Sequence, residues 1–246
     1  MNRSATRARC GARLTPLRTV CAVGAIALSL ILAVSQPRLA TADPKGVIIV
    51  PAVPTNLEVP AGHQVYLQGL GVGTQDYICL PCPNAITPVA MCPASGFAWA
   101  FYAPQATLFD IDVGHDKQII THFLSPDENP KDPTKPVPFG NATWQSSFDS
   151  SRVWAAVLHG NVIGAGADPT SCPNTGSIAC LLLETVGAKE GPTGGTLLSK
   201  TSFIQRLNTN GGSAPNDGCF TSAEVGKQAL VPYTADYFFY RKDKDK

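Results

Sequence analysis

The sequence lacks the patterns that mark three large classes of protein. Its only long apolar run, Thr19–Val34, has sixteen residues, whereas a membrane-spanning helix needs about 20. No window of a dozen residues keeps the apolar spacing of an amphipathic helix without a proline or a glycine, so a helical domain is not expected. The Gly-x-Ser-x-Gly motif of α/β-hydrolases is also missing.

Acidic residues are missing from the first 42 residues, which carry six of the nineteen basic residues. An arginine-rich start, the apolar run and the small-x-small pattern Ala40–Ala42 follow one another there, as in a secretory signal peptide. We therefore expect residues 1–42 to be a signal peptide cleaved after Ala42, with an uncleaved membrane anchor as the alternative. Cleavage leaves 204 of the 246 residues, with a formal charge of −5 and no permanent membrane span.

A basic stripe of the kind that binds nucleic acid is missing from the mature chain. Its densest basic run is the tail Arg241–Lys246, in which acidic residues alternate with basic ones. We expect residues 241–246 to be a solvated, frayed end and expect no nucleic-acid partner. The mature length suits one domain, and export predicts a secreted, periplasmic or cell-envelope location.

Six cysteines remain after cleavage, namely Cys79, Cys82, Cys92, Cys172, Cys180 and Cys219. An even number in an exported chain favours disulfides over free thiols. Six cysteines allow fifteen pairings, and sequence alone cannot choose among them. Our hypothesis is that Cys82–Cys92 and Cys172–Cys180 close local proline-containing loops, which leaves Cys79 and Cys219 for each other.

The Cys79-Leu-Pro-Cys82 motif also occurs in thiol redox proteins, where it opens a helix. Prolines at positions 81, 83 and 88 argue against a helix here. A zinc ribbon needs a second close pair of cysteines, and seven residues separate Cys172 from Cys180. The sequence therefore predicts no metal and no cofactor.

Alternation of apolar and polar residues after Gly62 indicates an all-β domain at residues 61–240. The predicted strands are His63–Gln68, Thr74–Cys79, Phe97–Phe101, Thr107–Val113, Gln118–Phe123, Arg152–Leu158, Ile178–Glu184, Ser202–Leu207 and Tyr233–Tyr240. Roughly ten short strands with long Pro- and Gly-rich loops favour a single-domain sandwich or barrel. Glycines at 69, 71 and 73 are typical of a bulge or a sharp bend.

Proline-rich segments interrupt this pattern. Residues 43–60 contain four prolines and are expected to form an extended lead-in that could add an edge strand. Ser125–Pro138 contains five prolines and is expected to be a solvated loop, as is Gly187–Gly195. The only helical expectation is a turn or two near Ser222–Gly226.

Many pieces of the mature chain occur in the same order as in a known family. These pieces are Gly71–Cys79, Trp99–Leu108, Gly114, His122, Thr143–Trp144, Asp149–Ser151, Ile204–Gly212, Ala214–Pro215, Gly218–Cys219 and Val231–Tyr237. On these motifs the chain resembles the family called domain of unknown function 3455, which is found in exported fungal and bacterial proteins. The resemblance implies export and supports the Cys79–Cys219 pairing, but it implies no mechanism.

The chain departs from the family pattern in two places. The link between His122 and Thr143 is stretched into the proline-rich loop, and the family's Asp-Gly-Ser turn reads Asp149-Ser150-Ser151. His122 is the candidate for a catalytic residue, because it falls in a family-like piece beside the stretched loop. Asp149 and Ser151 with His122 make only a loose triad candidate.

Tyr77, Arg206, Tyr233 and Asp236 are the candidates for ligand binding. Arg206 and Asp236 lie on apolar strands, where a buried charge must be paired. They could pair with one another as a core clamp, or serve as polar groups of a ligand cleft. The tyrosines at 77, 233 and 237 and the tryptophans could form a sugar-stacking platform, although strand aromatics usually fill the core.

The sequence thus predicts an exported protein whose activity no motif assigns. The favoured hypothesis is a non-catalytic binding or envelope-associated domain for an extracellular ligand such as a carbohydrate. The alternative is an extracellular hydrolytic or metal-assisted enzyme that uses His122 with nearby carboxylates. The lack of catalytic motifs favours the first.

Overall fold

A computed structural model describes residues 47–84, 87–111, 117–125 and 141–243. The chain divides into two units, Met1–Asp43 and Pro44–Lys246, and the description that follows concerns the second. The expected signal peptide, its cleavage site at Ala42 and most of the proline-rich loop Ser125–Pro138 lie outside the described residues. Within those ranges, no helix is long and apolar enough to cross a membrane.

Eight antiparallel strands form a closed barrel, in which each strand pairs with the next and the last returns to the first. The strands are β1 His63–Pro81, β2 Phe97–Phe109, β3 Gln118–Ser125, β4 Asn141–Ser146, β5 Arg152–Ile163, β6 Cys180–Lys189, β7 Thr201–Gly211 and β8 Gln228–Lys242. Three short 3-10 helices cover Thr55–Leu57, Val89–Met91 and Ser222–Glu224. The all-β prediction is confirmed in its barrel form, and the sandwich form is wrong because β8 pairs with β1 along its length.

Among the described residues, the strands are fewer and longer than expected. The first two predicted strands are one 19-residue strand, β1. The third, Phe97–Phe101, lies in β2, as do the first residues of Thr107–Val113, since β2 ends at Phe109. The glycines of β1 lie within the strand rather than at a bend. A Cβ atom at Gly71 would come within 2.7 Å of the Tyr237 ring, so glycine here leaves room for an aromatic side chain inside the barrel. β4 was missed altogether, because it is short and follows the proline-rich segment.

The barrel interior holds the main hydrophobic core. All eight strands contribute to it, with Leu67, Leu108, Ile120, Trp144, Val153, Leu183, Ile204 and Phe239 among its members. Side chains alternate between the two faces of a strand, so the neighbours of these residues point outward. The inward residues fill the core and also set the walls of any internal cavity.

A second hydrophobic cluster covers part of the outer face. Leu57 is fully buried there beside Leu182, Leu207 and Phe238. The lead-in forms no strand over residues 47–60, so the expected edge strand is absent there. Hydrogen bonds hold it instead, because Gln205 Nε2 donates to the Leu57 carbonyl at 2.7 Å.

Three disulfides lie at one end of the barrel, here called the disulfide end. Cys79–Cys219 joins β1 to the β7–β8 connection, while Cys82–Cys92 and Cys172–Cys180 close local loops. These are the pairs that the loop argument favoured. The C-terminal tail differs from expectation, because Arg241 and Lys242 belong to β8. The Arg241 guanidinium lies 5.0 Å from the Tyr66 ring centroid.

Candidate functional site

A cavity of about 340 Å³ lies inside the barrel. Its walls come from all eight strands and are mostly apolar. The lining residues are Gln75, Phe101, Pro104, His122, Ala142, Trp144, Ala155, Ala156, Val157, Leu181, Leu183, Arg206 and Tyr237. Small-molecule sites are typically concave, mainly apolar and at least about 300 Å³ in volume. The cavity therefore has the size and composition of a ligand site.

The pairing of β3 with β4 builds an aromatic wall. His122 and Trp144 are cross-strand partners, and their rings stack with centroids 4.1 Å apart and planes 10° apart. Tyr237 on β8 meets both rings at a steep angle, with centroid distances of 5.6 and 6.1 Å. Trp144 and Tyr237 are almost completely buried. The three rings form one packed group along the cavity.

The protonation of His122 is fixed by its surroundings. Nδ1 lies 2.8 Å from the carbonyl oxygen of Thr143, so Nδ1 must carry the proton and Nε2 must hold the lone pair. Burial lowers the pKa of His122 to about 3; the Thr143 hydrogen bond opposes this shift and the Arg206 charge adds to it. His122 is therefore a neutral hydrogen-bond acceptor at physiological pH.

A polar chain runs across the interior from β6 to β8. Arg206 Nε and Nη2 donate to the Ala179 carbonyl at 3.2 and 2.8 Å, and the Arg206 side chain also hydrogen-bonds to the Tyr237 hydroxyl. The Tyr237 and Tyr233 hydroxyls are 3.0 Å apart. Burial raises the pKa of both tyrosines, so both remain protonated. Arg206 lies within this chain of contacts and is a cation that lines the cavity.

Two polar atoms of the lining residues are buried without a hydrogen-bond partner. They are the Gln75 side-chain oxygen Oε1 and the Trp144 indole nitrogen Nε1. An unpaired buried donor or acceptor costs about 1–3 kcal/mol, so proteins rarely keep one without a reason. Neither atom has accessible surface that a molecule in the cavity could contact.

The structure brings some of the predicted site residues together and separates others. His122 and Arg206 line the cavity. Tyr77 is buried at the edge of the cavity, and its hydroxyl donates to the Gly212 carbonyl at 2.7 Å. The Tyr233 hydroxyl contacts the hydroxyl of Tyr237, which lines the cavity. Asp236 lies on the outer face, since it pairs across strands with Leu207 of the outer cluster.

The predicted pairing of Arg206 with Asp236 is wrong. The two side chains point to opposite faces of the barrel wall, because Arg206 is opposite Tyr237 and Asp236 is opposite Leu207. Asp236 accepts a hydrogen bond from Asn208 at 2.8 Å instead. A sugar-stacking platform is not formed either, because the tyrosines at 77, 233 and 237 are buried inside the barrel.

The loose triad of His122, Asp149 and Ser151 is also wrong. Ser151 is fully buried, and its hydroxyl donates to Asp149 at 2.7 Å and accepts from the Leu198 amide at 2.9 Å. Asp149 also accepts from the Leu197 amide at 2.8 Å. These contacts hold the β4–β5 turn to the segment before β7. Among the described residues, no three His, Cys, Asp or Glu side chains are grouped to hold a metal.

Sequence reasoning missed Gln75 and Trp144 as individual site residues. Both stood within family-like pieces, and Trp144 was considered only as one aromatic among several. The available signal at Gln75 was a polar side chain on the inward strand face, which Gln75 shares with Gly71 and Tyr77. No local signal shows that these residues meet His122 and Arg206.

The fold and cavity define a closed antiparallel β-barrel with a ligand-sized interior. The chain belongs to the family described as protein of unknown function (DUF3455), whose model matches residues 60–241. The resemblance found from the sequence motifs is thereby confirmed. A search of curated proteins finds no match.

A solved structure, that of the pterocarpan synthase dirigent protein GePTS1, is similar to this chain at 10% sequence identity. The match covers 77% of this chain and 92% of that chain, with a TM-score of 0.25. A likeness at this level carries no argument about function.

Proposed function

We propose that this protein is a non-catalytic binding domain that takes a small, largely apolar organic molecule into its barrel. The observation that carries the proposal is the internal cavity of about 340 Å³, with few polar groups among mostly apolar walls. The protein works outside the cytoplasm in this proposal, since three disulfides are typical of an oxidising compartment.

An apolar ligand fits this site better than a carbohydrate. Each sugar hydroxyl that enters an apolar cavity needs a hydrogen-bond partner to offset the loss of water. The Tyr77 and Tyr233 hydroxyls are already used within the protein. The lining offers mainly alanine, leucine and aromatic surface instead.

The contacts of His122 do not favour catalysis by this residue. A general base works best when its pKa lies near the operating pH, and burial lowers the pKa of His122 to about 3. Its ring is also held between the Thr143 carbonyl and the Trp144 stack. His122 is suited to accept a hydrogen bond from a bound molecule without taking its proton.

The test uses the neutral fluorescent probe N-phenyl-1-naphthylamine and the mature chain with its disulfides intact. We expect saturable binding with a blue-shifted emission, and recovery of the probe unchanged by mass spectrometry. Ala155→Phe places a ring in the cavity and should abolish binding, and Ala142→Leu should weaken it. Ala52→Phe is the matched control, because Ala52 is exposed in the lead-in.

Circular dichroism and the thermal transition check that each variant is folded. Equal probe binding by the folded Ala155→Phe variant would place the bound probe elsewhere and overturn the proposal. An absence of binding by the unsubstituted protein would overturn it as well.

A further inference from the structure

Arg206 is a cation on the inner face of the barrel, and its hydrogen-bond partners among the described residues are neutral. They are the Ala179 carbonyl and the Tyr237 hydroxyl. These contacts use three of the five N–H groups that a guanidinium carries. The carboxylate nearest in register, Asp236, faces the other side of the wall and is bonded to Asn208.

Arg206 is partly buried among mostly apolar walls, and an opposite charge beside it would offset the hydration that its guanidinium has lost. Its remaining N–H groups are hydrogen-bond donors that carry a charge. They favour an anionic oxygen over a neutral one.

The shape of the site adds a second requirement. Aromatic rings of Phe101, His122, Trp144 and Tyr237 line the cavity, and Pro104 adds further rigid surface. The small side chains of Ala142, Ala155 and Ala156 leave space in the rest of the cavity. Aromatic rings pack well against a planar ring system, either edge to face or offset and stacked.

We propose that the cavity selects planar aromatic anions, such as aromatic carboxylates, with Arg206 as the counter-ion and the aromatic lining as the packing surface. This inference rests on the proposed binding function and names its ligand class. The carboxylate lies at Arg206, where it meets the free N–H groups of the guanidinium. The aromatic body of the ligand lies in the apolar part of the cavity.

The test compares 2-naphthoate with 2-naphthamide, which has the same shape without the charge. Both compete against N-phenyl-1-naphthylamine at pH 7.5 and constant ionic strength. Hydrogen bonds to a charged group contribute about 1.5–3 kcal/mol, so the acid should bind roughly ten- to a hundredfold more tightly than the amide. This ratio is measured on the unsubstituted protein and needs no variant.

Arg206→Met should reduce the acid-to-amide ratio to about one, because it removes the charge while keeping a side chain of similar length. Arg152→Met is the matched control and should keep the full ratio, since Arg152 lies on β5 away from the cavity lining. Decahydro-2-naphthoate, the saturated form of the acid, tests packing against the aromatic lining. It should bind about tenfold less tightly than the acid, in line with the strength of aromatic pairing.

The outcomes separate this inference from the proposed function. Equal affinity for the acid and the amide would overturn charge selection while cavity binding stands. Equal affinity for the saturated and aromatic acids would overturn the requirement for a planar ring. Failure of every probe, including the neutral naphthylamine, would overturn the proposed function itself.

Discussion

At the scale of single residues, two positions outside glycine adopt the left-handed backbone conformation in the part of the chain that the structure describes. They are Ser150, with φ 58°, and Asn208, with φ 48°. Asparagine tolerates this region better than most residues, whereas serine at 150 stands where the family pattern has glycine. The turn between β4 and β5 therefore carries backbone strain that the family pattern avoids.

Replacement of Ser150 by glycine should relieve that strain. We expect Ser150→Gly to raise the free energy of unfolding by about 1 kcal/mol, since a left-handed L-residue costs about that much. The midpoint of urea unfolding at unchanged slope measures the gain. Ser150→Ala keeps the Cβ atom and should show no gain. A gain of the same size for alanine would contradict the explanation.

His122 should make stability depend on pH. Its pKa is about 6.5 in an unfolded chain and about 3 in the folded protein, because burial disfavours the charged ring. Between these values the unfolded chain binds the proton and the folded protein does not. The contribution of His122 to the free energy of unfolding is therefore fully present above pH 6.5. It is lost as the pH drops toward 3, at up to about 1.4 kcal/mol per pH unit.

The His122→Gln variant isolates this effect, because glutamine cannot titrate and can still donate to the Thr143 carbonyl. The difference in unfolding free energy between the two proteins should change between pH 6.5 and 4. Hydrogen bonds hold the pKa of Asp149 at about 2 against the opposing effect of desolvation. Asp149 therefore changes stability only below about pH 4, and it is present in both proteins. Parallel pH curves would contradict the burial argument.

Gly71 should be intolerant of a side chain. A Cβ atom there would approach the Tyr237 ring to 2.7 Å, and a buried aromatic ring cannot turn aside easily. We expect Gly71→Ala to destabilise the protein by about 1–3 kcal/mol and to weaken probe binding, because Tyr237 lines the cavity. Gly164→Ala is the control, since its Cβ atom would meet nothing within 4 Å.

At the scale of strands and loops, the disulfides differ in what they connect. Cys79–Cys219 spans 140 residues and ties β1 to the connection before β8, whereas Cys172–Cys180 spans 8. In the chain-entropy model the long loop contributes about 5 kcal/mol and the short one roughly half of that. The paired Cys→Ala variants should differ accordingly in their urea midpoints. Equal losses would show that loop length is not the controlling factor.

The strands were predictable from the sequence where β-branched and aromatic residues cluster, and not where a strand depends on distant partners. β3 was found nearly complete and β8 from Tyr233 onward, because both are rich in such residues. The break placed at Gly69–Gly73 was wrong because these glycines pack against distant parts of the chain: Gly69 against Leu108 and Ile119, Gly71 against Tyr237, and Gly73 against Gln105 and Ala106. β4 was missed since its pairing with β3 and β5 is what makes it a strand.

The candidate site was predictable only as separate residues. His122 and Arg206 were recognised from the sequence, and both line the cavity. Their meeting with Gln75 and Trp144 depends on barrel closure and on the register of four different strands. Arg206 and Asp236 could not be assigned to faces, because the strand register in β7 shifts just after Leu207.

At the scale of the whole molecule, the barrel is closed by the pairing of its first and last strands. His63 pairs with Lys242 and Ile78 pairs with Gln228, so the seam joins residues that are far apart in sequence. Pairings between distant residues form slowly, because a long loop must close before they contribute any stability. The Cys79–Cys219 bridge brings the two sides of this seam together.

Because the seam uses the last strand, the chain cannot complete its barrel until residue 242 is present. A chain that stops before Gln228 leaves unpaired backbone along β1 and β7, and such open edges recruit strands from other molecules. Loss of the C-terminal strand therefore converts a closed barrel into a template for aggregation. Proteolytic trimming from this end would remove the protein from solution rather than leave a smaller working domain.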